Sequence, residues 1–557
     1  MNNNKTKIIL AVFCAVFFVI YSYLPISQIF FSDVPTSKVS IRFNTPDEVM
    51  NFYFTNLFAD ENKMYYSEPY NLLANGFIFP RWAKPIADKI TPGTFQGIIL
   101  IYGSLAKIFS KFIIPFLTPL FAVIGALFFY GIIKLIFNKK IALISFILML
   151  TFPAYIYYSS RVMFHNILFF SLLLGGLYFL LKLFYVKKNK YIYSVLAGLF
   201  FGLSLITRTS EIVWVFLLVL IFLLFNFKNL KSYYKYLIII FIIFILCFAP
   251  VLINNKNLYG SYFATGYSLV VSENFEEISH TEQIGLVQSI LLPFGFHPRV
   301  IITYSFYRYF VKLFWLYIIL FLIGLAIFFK IKRNKLQNMY FCFLFLVSCF
   351  LIIYYGSWFF RDSLDLNLVS MGSSYVRYFL PIYIFAMPFI GLLLIKIWEL
   401  NYKFKLNKIF VIFVFCFLFF VSCFVVYFKN SESLVQINKN LLKYRTQAQD
   451  ILNKTGPDDI ILTDISNDKV IFPERSHLIV PQNGDELKPV KLLLELTDVW
   501  FFYRDKNVNI EYLNKNKFNL YNLKIIDPQE IQGGAVLFKV ITATEYYVMN
   551  YSNYFKL

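Results

Sequence analysis

The residues that could do chemistry are few and sit at the ends of apolar runs. An adjacent acidic pair, Asp60-Glu61, follows the first hydrophobic span within Phe58-Ala59-Asp60-Glu61-Asn62-Lys63-Met64-Tyr65-Tyr66. A carboxylate there marks either chemistry or a solvated loop charge that caps a juxtamembrane helix. Arg208 closes an apolar run, where an unpaired charge held at membrane depth costs several kcal/mol, so it needs a partner. Glu211, three residues on, can reach it on one helical face; an anionic ligand is the alternative. Arg377 starts another apolar run and either binds an anion or snorkels to lipid headgroups. Arg81 and Lys84 lie in the same loop as the acids and suit anionic headgroups.

The elements that must position these groups are membrane helices. With 557 residues, 59% hydrophobic and 21% aromatic content, 15% charged residues and a mean hydropathy of +0.63, the chain is not a soluble globule. It is an α-helical polytopic membrane protein. The net charge of +21 gathers in short loops, where it sets topology instead of marking a nucleic-acid surface. All six cysteines fall inside apolar segments without metal-ligand or disulfide spacing. Crossing the hydrocarbon takes about 20 residues, and about eleven runs reach that length. They are 8–24, 112–136, 141–158, 164–184, 191–208, 211–227, 234–254, 307–329, 338–356, 376–399 and 408–428. Alternating orientation puts Lys139-Lys140, Lys187-Lys188, Lys228 with Lys231, Lys330 through Lys335 and Lys403 with Lys408 on the cytoplasmic side. The loop 25–111, the loops 255–306 and 357–375 and the C-terminal segment then share the opposite face. Gly97 to Phe109 is too short to span and suits an interfacial helix.

The expected domains are therefore a transmembrane part, 1–428, and a soluble extracytoplasmic α/β domain, 429–557. The second has a helical stretch at 438–453 and strand-like runs at 459–463, 499–503 and 535–540.

With topology in place, the motifs become recognisable. The first loop carries Asp60-Glu61, then Tyr65, Leu72-Leu73-Ala74-Asn75-Gly76 and Pro92-Gly93. Pro153 with Tyr157-Tyr158-Ser159-Ser160-Arg161, Gly202 through Thr207-Arg208, Asn255 through Tyr259-Gly260-Ser261 to Gly266-Tyr267, and Arg377-Tyr378 with Pro381 follow in order. This series resembles that of the GT-C-fold, polyprenyl-phosphate-sugar-dependent membrane glycosyltransferases, the group containing protein O-mannosyltransferases and lipid A aminoarabinose transferases. The resemblance covers about residues 1 to 400.

It implies a GT-C transmembrane domain that transfers a sugar from a polyprenyl or dolichyl monophosphate to a hydroxyl of a glycan, lipid or protein acceptor. The plasma or inner membrane would house it, with the active site and C-terminal domain extracytoplasmic. Asp60, with Glu61, is the implied catalytic base, and Arg208, Arg377, Arg81 and Lys84 are the implied ligands of the donor phosphate. At the position where many members carry a second acidic residue this chain has His165. His165 reads either as an interfacial packing residue or as a partner of Asp60 in binding the acceptor or a divalent cation. Two ligands do not define a metal site, so no cofactor is assigned. In the loop 255–306, Glu276-Glu277, His280 and His297 read either as solvated charge or as acceptor contacts. A transporter or flippase for lipid-linked saccharides is the rival reading. It calls for ionisable residues near the bilayer midplane and internal repeats, which this sequence does not clearly show.

Overall fold

The computed structural model describes residues 3–266, 291–360, 362, 368–400, 406–464, 466–481 and 484–546. Among these, nine helices are long and apolar enough to cross a membrane, from Asn4–Tyr21 to Leu406–Tyr427, and ten if one bent pair counts as a span. An eleventh apolar element, Thr209–Phe225, is shorter. These elements fall where the sequence places its eleven runs, and the chain is an integral membrane protein.

The bend has a local cause. Lys139–Thr151 begins on Asn138, whose side chain accepts the Lys140 and Ile141 N–H groups at 2.9 and 3.0 Å. It ends because Pro153 offers no N–H and forces Phe152 into an extended conformation, φ −69° and ψ 131°. Pro153–Ser160 then departs at 56°.

The chain divides into two compact units. The first comprises Met1–Leu24, Pro115–Val251 and Phe275–Gln436 and holds most of the apolar helices. Hydrocarbon supplies no hydrophobic drive between helices, so close backbone approach and hydrogen bonds must hold them. Gly198 and Gly202 let the Lys190–Thr207 helix meet Leu230–Tyr259 so closely that an added Cβ would lie 2.6 Å from the Ile240 carbonyl or from Cys247 Cβ. Tyrosines tie helices by their hydroxyls: Tyr155 donates to the Ala122 carbonyl at 2.7 Å, Tyr340 to that of Phe385 at 2.8 Å, and Tyr317 shares a 3.0 Å bond with Ser422.

The second unit joins Pro25–Ile114 and Leu252–Asn274 to Ile437–Leu557. Its main sheet has the order β5-β4-β6-β8-β7, from Ile460–Thr463 (β4), Leu478–Ile479 (β5), Val499–Tyr503 (β6), Leu523–Ile531 (β7) and Ala535–Thr542 (β8). β4 runs parallel to β5 and β6, whereas β8 pairs antiparallel with β6 and β7. A smaller meander, β1-β3-β2, comes from the first loop: Tyr66–Ser67 (β1), Ala83–Ile86 (β2) and Lys89–Pro92 (β3).

The sequence reading groups the first loop with the membrane helices, yet its residues complete the core of the C-terminal sheet. Ala74 and Ile78 are buried among Ile460, Leu462, Ile479 and Phe501, and Ile78 bridges to Ile479. Charges fasten the same join. Buried Arg42 donates to the Phe472 carbonyl at 2.7 Å and pairs with Glu474 at 2.5 Å. Arg445, also buried, donates to the carbonyls of Gln28, Val34 and Val39, and burial draws its guanidinium down to about 10.

Candidate functional site

Asp60 and Glu61 end the helix Pro46–Glu61 in the second unit. That helix starts on a capping box between Thr45 and Glu48 with Pro46 in the first turn, and it stops because Asn62 turns left-handed at φ 59°. The two carboxylates therefore stand at the helix C-terminus, where the dipole disfavours negative charge. Lysines gather to offset them. Lys111 Nζ lies 2.8 Å from Asp60 and Lys63 Nζ lies 3.1 Å from Glu61, with all four side chains about half exposed. Lys107 donates to Asn62 and sits 3.8 Å from the Phe58 ring centroid. Such exposed pairs contribute at most about 1 kcal/mol, so a substrate can displace them. Tyr53, on the same helix, is pushed up to about 12 by burial and then by the Glu61 charge, and stays a hydrogen-bond donor.

The first-loop cations divide. Arg81 is committed to Asp468, through its backbone N–H at 2.9 Å and its Nε at 3.0 Å, so here it fastens the loop to the C-terminal segment. Lys84 lies on β2, where its carbonyl accepts the Thr91 hydroxyl at 3.1 Å.

Arg208, Arg377 and His165 belong to the first unit, which brings the two arginines to one aromatic ring. The Arg208 Cζ lies 4.9 Å and the Arg377 Cζ 5.1 Å from the centroid of Tyr378. Asn166, next to His165 at the head of the helix His165–Tyr185, links them: its Oδ1 accepts from Arg208 at 3.3 Å and its Nδ2 reaches the Arg377 carbonyl at 3.5 Å. His165 itself is buried.

The Arg208–Glu211 pair anticipated from the spacing is present at 2.7 Å, with both side chains under a tenth exposed. Glu211 also accepts from Tyr355 at 2.8 Å and from Trp214 Nε1. Arg377 donates to Ser374 Oγ at 3.0 Å and lies 5.3 Å from the Phe164 ring centroid.

Asn166, Tyr355, Trp214 and Asp362 escape the sequence reading as site residues. Asn166 adjoins His165 and Tyr378 adjoins Arg377, so adjacency was the available signal; Tyr355 and Asp362 carry none. Glu276-Glu277 and His280 lie outside the described residues. Among those described, no three His, Cys, Asp or Glu residues group as metal ligands.

Chemically, the acidic pair can accept a proton from a hydroxyl, and the arginine cluster can bind an anion whose charge grows as a bond breaks. Residues 98–253 match a family model described as dolichyl-phosphate-mannose-protein mannosyltransferase. No curated protein matches the sequence. Two solved structures of ArnT from Cupriavidus metallidurans are similar in fold. The apo form has a TM-score of 0.50 at 12% identity, over 96% of this chain and 98% of that one. The form bound to undecaprenyl phosphate has a TM-score of 0.51 at 11% identity, over 95% and 97%. The oligosaccharyltransferase AglB from Archaeoglobus fulgidus, solved with an inhibitory peptide and a dolichol-phosphate, gives 0.52 at 12% identity over 89% of this chain and 69% of that one. On this ground the chain has the GT-C fold, the architecture implied by the order of its motifs.

Proposed function

We propose that this protein is a membrane glycosyltransferase that moves a sugar from a polyprenyl or dolichyl monophosphate to a hydroxyl of a glycan, lipid or protein acceptor at the extracytoplasmic face. The observation that carries the reading is the convergence of buried Arg208 and part-buried Arg377 on the ring of Tyr378. It occurs in a fold whose solved examples include complexes with undecaprenyl phosphate and dolichol-phosphate.

In the proposed reaction Asp60 takes the proton of the acceptor hydroxyl, and the freed oxygen attacks the anomeric carbon. The bond from that carbon to the phosphate oxygen breaks, and its electron pair leaves with the lipid phosphate. A phosphate monoester is a competent leaving group, so the main requirement is charge stabilisation, which Arg377 and Arg208 supply. Two features support Asp60 as the base: it sits at the unfavourable end of its helix, and its lysine contact is weak enough to give way. Lys84 is a further phosphate contact in this scheme, and His165 an acceptor contact. Arg81, whose backbone N–H and Nε are taken by Asp468, offers the phosphate only its remaining N–H groups.

The test is incubation of purified protein with a radiolabelled polyprenyl-phosphate sugar and a panel of acceptors. Label on an acceptor with release of lipid phosphate is expected. Donor that crosses the bilayer chemically unchanged overturns the proposal in favour of a flippase.

A further inference from the structure

Three contacts lie behind Arg377. Asp362 Oδ1 accepts the Ser374 hydroxyl at 2.7 Å, and its Oδ2 accepts the Ser374 backbone N–H at 2.8 Å and the Ser373 hydroxyl at 3.2 Å. Ser374 Oγ in turn accepts from Arg377 Nη2 at 3.0 Å. A serine hydroxyl has one proton. Since that proton goes to Asp362, a lone pair of Ser374 is left facing the guanidinium, and the direction of the whole relay is set by the carboxylate.

Trp358 and Phe360 lie against the short helix Ser374–Tyr378. Tyr375 donates to the Trp358 carbonyl, and the Phe360 ring lies 4.9 Å from Tyr375 and 5.3 Å from Tyr378. Trp358 stacks on Phe294 at 4.0 Å, and Tyr158 donates to the Ser373 carbonyl at 2.9 Å. Trp358, Phe360 and Ser373 are thus held by aromatic packing and hydrogen bonds, and the Asp362 carboxylate orients Ser374 toward Arg377, whose guanidinium also lies against the rings of Phe164 and Tyr378.

We propose that Asp362 is a positioning residue for donor binding: acting through Ser374, it holds the Arg377 guanidinium in the orientation that receives the lipid phosphate. The proposal rests on the reading of Arg377 as a donor-phosphate ligand. An amide cannot replace the carboxylate. With the Asn oxygen on the Ser374 N–H, its NH2 group faces the Ser374 hydroxyl, which must turn its proton away from position 362, so the bond that sets the direction of the relay is lost together with the charge. Released from Ser374, the arginine regains rotamer freedom that the ligand must then remove again on binding.

The test measures binding of radiolabelled undecaprenyl phosphate to the full-length protein in nanodiscs. Arg377→Ala is expected to weaken binding at least tenfold. Asp362→Asn and Ser374→Ala are each expected to weaken it about tenfold, the size of one charge-assisted hydrogen bond, while Asp362→Glu recovers most of the loss. The deciding measurement is the double variant Asp362→Asn/Arg377→Ala, which should bind no more weakly than Arg377→Ala alone. Independent losses that multiply in the double variant overturn the relay, as does wild-type binding by both Asp362→Asn and Ser374→Ala when Arg377→Ala has lost it. Wild-type binding by Arg377→Ala overturns the donor-phosphate reading itself. Ser374→Ala keeps the test open should Asp362→Asn fail to fold.

Discussion

Glu211 offers the sharpest perturbation of the arginine cluster. Its carboxylate accepts Arg208 Nε at 2.9 Å and Nη2 at 2.7 Å, Tyr355 at 2.8 Å, and Trp214 Nε1. The Arg208 and Glu211 side chains are 9% and 6% exposed, so water cannot replace what is removed. Breaking a buried pair by deleting one partner costs about 3–5 kcal/mol, because the surviving charge keeps its burial and loses its compensation. Set against a total stability of about 5–15 kcal/mol, that is a large fraction. Glu211→Ala should therefore lower the unfolding free energy, read from a denaturant titration of the detergent-solubilised protein, by an amount in this range. The double variant Arg208→Met/Glu211→Leu removes both charges and should recover the part of the loss that comes from the stranded charge, while Tyr355 and Trp214 still lack their acceptor. It should nevertheless bind undecaprenyl phosphate more weakly than wild type. A Glu211→Ala variant within about 0.5 kcal/mol of wild type, or a double variant no more stable than the single, would refute the reasoning.

Other expectations concern different parts of the molecule. Arg42→Ala strands Glu474, which is 15% exposed, and should cost about 3 kcal/mol, read as faster amide exchange across Pro46–Glu61 and β4. Gly202→Leu places a side chain where Cys247 already stands and should loosen the packing of Lys190–Thr207 on Leu230–Tyr259 by about 1–3 kcal/mol, visible as a lower thermal midpoint. Tyr317→Phe removes the 3.0 Å bond to Ser422 and should cost only about 0.6 kcal/mol in the same assay.

The membrane spans were legible because about 20 apolar residues bounded by lysines admit few other readings. The Arg208–Glu211 pair was legible for a similar reason, being a three-residue spacing across one helix start. Strands β4, β6 and β8 showed as short apolar runs rich in β-branched and aromatic residues, whereas β5 has two residues, too few to form a pattern. Contacts that depend on distant chain segments left no trace. Arg81 meets Asp468 across 387 residues, and nothing near either one indicates the other. The filling of the C-terminal core by Ala74 and Ile78 is hidden in the same way, because in the sequence they belong to a loop with no periodicity. Asp362 was invisible as a partner of Arg377 because a hydroxyl relay through Ser374 has no sequence signature.

Single-turnover transfer from a radiolabelled polyprenyl-phosphate sugar by wild type and Asp60→Asn, with donor binding measured in parallel, probes the central claim most directly. The account predicts equal donor binding and a rate of label transfer to acceptor at least about a hundredfold lower in Asp60→Asn, the usual contribution of a general base. Transfer by Asp60→Asn at the wild-type rate would contradict it.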